Sequence, residues 1–176
     1  DSVASRGLGD VYKRQEECCG RGGKLFVSAY EKLKKLGIDL PPASVPVGAY
    51  ASFIRSGHLL FLSGHLAKKA GQPWVGQLGE TIDLSEGQAA ARAVAADLIA
   101  TLQAATGDID RVTRIVKITS LVNSTPEFTD QHIVTNGASE LFAEVFGGLH
   151  ARSAFGVAQL PMGVCVEIEL IAEVST

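Results

Sequence analysis

Arg152-Ser-Ala-Phe-Gly-Val-Ala-Gln-Leu-Pro-Met-Gly-Val-Cys-Val-Glu-Ile-Glu-Leu-Ile-Ala172 is the stretch that decides the fold. It reads as two β-strands joined in a hairpin at Leu160-Pro161-Met162-Gly163. Side chains alternate faces along a strand. In the second strand Val164, Val166, Ile168, Leu170 and Ala172 share one face, which suits a core. Cys165, Glu167, Glu169, Ile171 and Glu173 share the other, so two or three carboxylates lie on a face that is solvated or part of a site.

Working outward, the rest of the chain supplies partners for these strands. Ser28-Ala-Tyr-Glu31 is a capping box that opens a short helix ended by Gly37. Tyr50 to Ser56 and Leu59 to Ser63 read as strands paired across Gly57-His58. Ser85-Glu-Gly-Gln88 opens a second helix that runs to about Ala105, with Ala91, Ala95, Leu98 and Leu102 on one stripe. Val112 to Asn123 has a long strand pattern, and Thr125-Pro126-Glu127 marks the start of a third helix. The order predicts a two-layer α+β domain, a mixed β-sheet covered on one face by two helices. The other sheet face lacks an intrachain partner, which points to burial by further copies of the chain.

Composition narrows the function classes. Hydrophobic residues make up 46% and no apolar run reaches the ~20 residues of a membrane span, so no membrane role is expected. Net charge is −3 and aromatic content 6%, which argues against a nucleic-acid partner. Cys18, Cys19 and Cys165 make no disulfide framework, and His58, His65, His132 and His150 have no metal-ligand spacing. A reduced, cytoplasmic protein without metal or cofactor is the expectation. Residues 1–26 carry no helical or strand period; they resemble translated adapter sequence or a disordered arm, and residues 27–176 are read as the single domain.

The run Arg-Ser-x-x-x-Val-x-x-Leu-Pro-x-x-Val-x-Val-Glu-Ile-Glu-x-Ile-Ala resembles the C-terminal signature of the RidA/YjgF family, reactive-intermediate deaminases long labelled endoribonuclease L-PSP. The resemblance extends from about Tyr30 to the C-terminus. It implies a chorismate-mutase-like fold and a homotrimer with sites in the clefts between subunits. It implies that Arg152 binds a substrate carboxylate through its planar fork and that Glu167 directs water. Tyr50 would form a pocket wall, Ser63 and Gly64 would sit where backbone approaches the ligand, and Asn136 would line the cleft. Without that context, Arg152 is an ion-pair partner at a seam, Glu167 a solvated strand residue and His65 a surface histidine at a strand end. Three departures stand out: Ala49 where the family has Pro, His65 where it has Gln, and Ala154 where many members have Cys. The implied activity is hydrolysis of enamine and imine intermediates, such as 2-aminoacrylate, to 2-oxo acids and ammonia, as in 2-iminobutanoate/2-iminopropanoate deaminases. The alternatives are a non-catalytic carboxylate-binding protein on the same cleft and, less well supported by the charge, an endoribonuclease.

Overall fold

The computed structural model describes residues 27–46 and 48–176; the expectation for residues 1–26 falls outside them. A short helix α1 (Ala29–Lys35) comes first, capped by the Ser28 hydroxyl, which accepts from the Tyr30 N–H. Asp110 takes up the rest of that helix start, accepting from Ser28 Oγ and the Ala29 N–H, each at 2.7 Å. Strands β1 (Phe53–Ser56) and β2 (Leu59–Leu66) form the expected hairpin. A small ribbon follows, β3 (Lys68–Lys69) with β4 (Gln72–Pro73). Then come α2 (Leu84–Thr106), β5 (Val112–Asn123), α3 (Gln131–Val134), α4 (Asn136–Phe146), β6 (Ala151–Val157) and β7 (Val166–Val174).

The main sheet has five strands in the order β1-β2-β7-β5-β6. Its mixed character and helical cover match the expected α+β architecture. The hairpin expected at Leu160–Gly163 does not exist. β6 pairs only with β5, in parallel, and β7 lies antiparallel between β2 and β5. The reason is topological: β5 returns to the sheet through α3 and α4, and a parallel neighbour needs such a crossover.

Two helix starts also differ. Asp83, not Ser85, caps α2, its carboxylate accepting from the Glu86 N–H at 2.8 Å; that bond holds the Asp83 pKa below its usual value. The helix after β5 begins at Gln131, because Thr125 is held in a turn: its N–H donates to Leu78 O and its carbonyl accepts from Phe128.

The core lies between the sheet and α2 with α4. Ala91, Ala95, Leu98 and Leu102 of α2 are wholly buried, as are Val166, Ile168 and Ala172 of β7. Alanines at the interface let α2 approach closely. Its crossing with α4 is tighter still, since a Cβ on Gly137 would overlap the carbonyl oxygen of Gln88. Among the described residues the opposite sheet face is uncovered and mixes charged side chains such as Lys117 and Glu169 with apolar ones: Ile54, Phe61 and Phe155 are 60%, 41% and 46% exposed. We expect Gly137→Ala to cost about 2–3 kcal/mol through overpacking against backbone that cannot yield. That corresponds to a fall in Tm of about 5–10 °C, measurable by calorimetry; an unchanged Tm would mean that the two helices slide apart at little cost.

Candidate functional site

A β-bulge shapes one half of the site. Leu62 of β2 faces Leu170 of β7 and His65 faces Ile168, so Ser63 and Gly64 together oppose Glu169. The extra residue inverts the alternation beyond it. Leu62 and His65 both point to the core side, and Gly64 to the open side beside Glu167. His65, read from sequence as a surface residue, is therefore buried, at 6% exposure. Its Nδ1–H donates to the Ser63 carbonyl at 2.8 Å, because that oxygen can only accept, and its Nε2 meets Thr101 Oγ1 at 2.8 Å. Burial lowers its pKa, which favours the neutral ring. His65 thus ties the bulge to α2.

Ser63, Gly64 and Tyr50 line a cavity of about 300 Å³ together with Ser52, Lys68 and Met162. Ser63 donates its hydroxyl proton to Ala51 O at 2.7 Å, leaving lone pairs for a ligand donor. Tyr50 is 53% exposed at the rim. The Glu167 carboxylate packs over Gly64 in the space a Cβ would take. Glycine at 64 is needed for that contact rather than for its backbone angles. Along the open face Glu167 sits in register with Leu66, Leu121 and, through Leu121, Phe155. Burial against this apolar surface, with the Glu169 charge as a lesser cause, raises the Glu167 pKa. Four of the six predicted residues, Tyr50, Ser63, Gly64 and Glu167, thus gather at one place.

Arg152 and Asn136 gather at another. Arg152 pairs in register with Ile118 of β5, which pairs with Leu170 of β7. Leu170 is on the helix-covered face, so Arg152 is too, whereas Glu167 is on the open face. Two strand spacings and a three-residue offset put their Cα atoms about 14 Å apart. The Arg152 guanidinium reaches the helices instead. Nη1 donates to Asn136 Oδ1 at 2.8 Å and to Ser139 Oγ at 3.0 Å, and Nη2 to the His132 carbonyl at 3.1 Å. All three acceptors are neutral, and among the described residues Arg152 has no carboxylate partner. A guanidinium carries five N–H donors, so among the described residues Nε–H and one Nη2–H remain without an acceptor and are available to a carboxylate.

Ser139 escaped the sequence reading. It lies one turn after Asn136 on α4, a spacing that puts both on one helix face. Its hydroxyl also meets His150 Nε2 at 3.1 Å. Cys165 is buried, with its thiol pushed up to about 11, and is no nucleophile. Among the described residues no group of three or more His, Cys, Asp or Glu side chains could hold a metal ion, and no helix is long and apolar enough to cross a membrane.

Comparison with known proteins gives a consistent result. A family model described as endoribonuclease L-PSP matches residues 42–174. Protein TCP17 of Trypanosoma cruzi is 50% identical over 147 residues, covering 81% of this chain and 92% of that protein. Among solved structures, Atu1372 of Agrobacterium tumefaciens is 40% identical with a TM-score of 0.77, covering 84% of this chain and 92% of its own. Escherichia coli TdcF with bound serine is 25% identical with a TM-score of 0.55, covering 77% and 94%.

The raised Glu167 pKa has a consequence for stability. The folded chain holds this proton more tightly than the unfolded chain does. The stabilisation it contributes is full below the ordinary glutamate range and is lost as pH rises through the folded pKa. Glu167→Gln removes the ionised state, so its Tm should exceed the parent's at about pH 8, with the gap closing toward about pH 4. Thermal melts across that range test this; a variant less stable than the parent at the higher pH would contradict it.

Proposed function

We propose, for a chain that belongs to the endoribonuclease L-PSP (RidA/YjgF) family, hydrolytic deamination of small imines bearing a carboxylate, at a site completed between copies of the chain in a homotrimer. The observation that carries this reading is Arg152. A guanidinium held among the described residues by three neutral acceptors, with two N–H donors left over, is suited to receive a carboxylate. TdcF, solved with bound serine, is a relative whose ligand carries such a group.

The second requirement is a base near the carbon that water attacks. Glu167 meets it: its raised pKa brings it toward the pH at which a carboxylate both takes and returns a proton. In the proposed reaction Glu167 removes a proton from water as the oxygen bonds to the imine carbon. From the protonated imine this gives an amine on a tetrahedral carbon; Glu167 returns the proton to that nitrogen, the C–N bond breaks to release ammonia, and the new hydroxyl gives up its proton to water as it becomes the carbonyl of the 2-oxo acid. An enamine such as 2-aminoacrylate enters after tautomerising to its imine. Much of the gain would come from proximity, since these imines hydrolyse slowly unaided.

Within one chain the two residues face opposite sides of the sheet. The exposed Ile54, Phe61 and Phe155 mark the open face as a contact surface for a second copy. Such a contact would bring the Arg152 edge of one subunit to Glu167 of the next and to the Tyr50–Ser63–Gly64 cavity beside it. An RNA-cleaving role is less well supported, because the chain has a net charge of −3.

An amino-acid oxidase that generates imines from alanine or 2-aminobutanoate, with ammonia release timed, tests the reading. The parent should accelerate release over buffer. Arg152→Lys should raise KM about 10-fold by losing the fork, a change of about 1.4 kcal/mol. Glu167→Gln should lower kcat about 100-fold or more while a 2-oxo acid still binds. If the parent binds 2-oxo acids without accelerating imine decay, the chain is a carboxylate-binding protein rather than an enzyme.

A further inference from the structure

We propose that Ser139 and His150 are positioning residues for Arg152: the His150 ring accepts the Ser139 proton and so fixes the hydroxyl oxygen as an acceptor for the guanidinium. The proposal rests on the reading of Arg152 as the carboxylate receptor. Its test is chosen to separate the two.

Arg152 Nη1 lies 3.0 Å from Ser139 Oγ. A guanidinium has no acceptor, so Ser139 must receive this bond and direct its own proton elsewhere. His150 Nε2, 3.1 Å from the same oxygen, is there to take it. That assignment requires a neutral ring protonated on Nδ1. The surroundings favour it: burial, with the Arg152 charge as a lesser cause, lowers the His150 pKa. The ring is also held in place. It stands edge-on to Phe142, with centroids 6.0 Å apart and planes at 88°, and Phe142 itself is buried in the core.

Without the imidazole, the Ser139 hydroxyl could turn and offer its proton toward Arg152, where a donor is useless. Arg152 is otherwise held at this nitrogen by Asn136 Oδ1 alone. Two anchors on Nη1 and one on Nη2 fix the plane of the guanidinium, and with it the direction of the remaining donors. One anchor on each would leave the plane free to rock. His150 lies two residues before Arg152 on the approach to β6, so the same short segment delivers both the receptor and the group that aims it.

Ser139→Ala, His150→Leu, His150→Gln and the double variant Ser139→Ala/His150→Leu test this in the full chain. Two readouts are needed. The first is the nitrogen-15 NMR signal of the Arg152 side chain. Restricted rotation should give separate Nη1 and Nη2 signals in the parent; Ser139→Ala and His150→Leu should show them merged, and His150→Gln, whose Oε1 accepts near the Nε2 position, should keep them separate. The second is the dissociation constant for 2-oxobutanoate by calorimetry. Ser139→Ala and His150→Leu should each weaken it about 5- to 10-fold with kcat for imine hydrolysis within about twofold, His150→Gln should stay near the parent, and the double variant should be no worse than Ser139→Ala or His150→Leu alone. Unchanged Arg152 signals in both Ser139→Ala and His150→Leu would overturn the proposal, as would strictly additive losses in the double variant. If His150→Leu does not fold, Ser139→Ala with His150→Gln carries the same comparison. A parent that binds no 2-oxo acid would sink the carboxylate reading, and the Arg152 signals would still decide whether Ser139 and His150 hold the guanidinium.

Discussion

A side chain in a β-strand reaches only one face of its sheet, and Arg152 and Glu167 are on opposite faces. Everything about the site follows from that. On the reading proposed above the chain carries two half-sites, and no rotamer of either side chain brings them together across the sheet. Around Arg152 the helices provide neutral acceptors and a histidine that orients one of them. Around Glu167 a bulge, a glycine and an apolar surface provide a carboxyl group that is reluctant to ionise. The open sheet face around Glu167, with Phe61 and Phe155 partly exposed, is the surface on which the proposed second copy would dock.

Each half-site carries an electrostatic tension that the isolated chain does not relieve. Arg152 keeps its charge with no carboxylate partner among the described residues. Glu167 is held partly out of water with Glu169 nearby. A substrate carboxylate would answer the first and a transferable proton the second. Perturbed groups of this kind gather where chemistry is done more often than where it is not. Lys68 shows the contrast: also at the cavity wall, it is matched by Asp97 at 3.1 Å and Ser44 at 2.7 Å.

The parts legible in the sequence were those set by local pattern. The alternation from Val164 to Ala172 identified the core face of β7 because no bulge interrupts it. The stripe on α2 was readable for the same reason, since Ala91, Ala95, Leu98 and Leu102 follow helical period without a break. Arg152 and Glu167 stood out through an ordered signature rather than through chemistry, because a lone arginine or glutamate in a strand has no distinctive pattern. What depended on distant partners was not legible. His65 was misplaced because the bulge that turns it inward is defined against β7, about a hundred residues away. The β6–β7 hairpin was misread because a short Pro-Gly connection favours local pairing, while β5 takes the place between them. Ser139 is an ordinary helix serine until its spacing from Asn136 is considered together with the edge strand that carries Arg152.

The central claim is that one functional site needs Arg152 from one copy and Glu167 from another. Mixed assemblies test it most directly. Arg152→Ala and Glu167→Gln chains, each inactive alone, are unfolded together in equal amounts and refolded into a shared pool of trimers. If the site lies between subunits, random mixing gives about a quarter of the clefts both parental residues, and roughly a quarter of parental imine hydrolysis should return. If mixed trimers form and no activity beyond that of the separate variants returns, the two residues do not meet across an interface and the account is wrong.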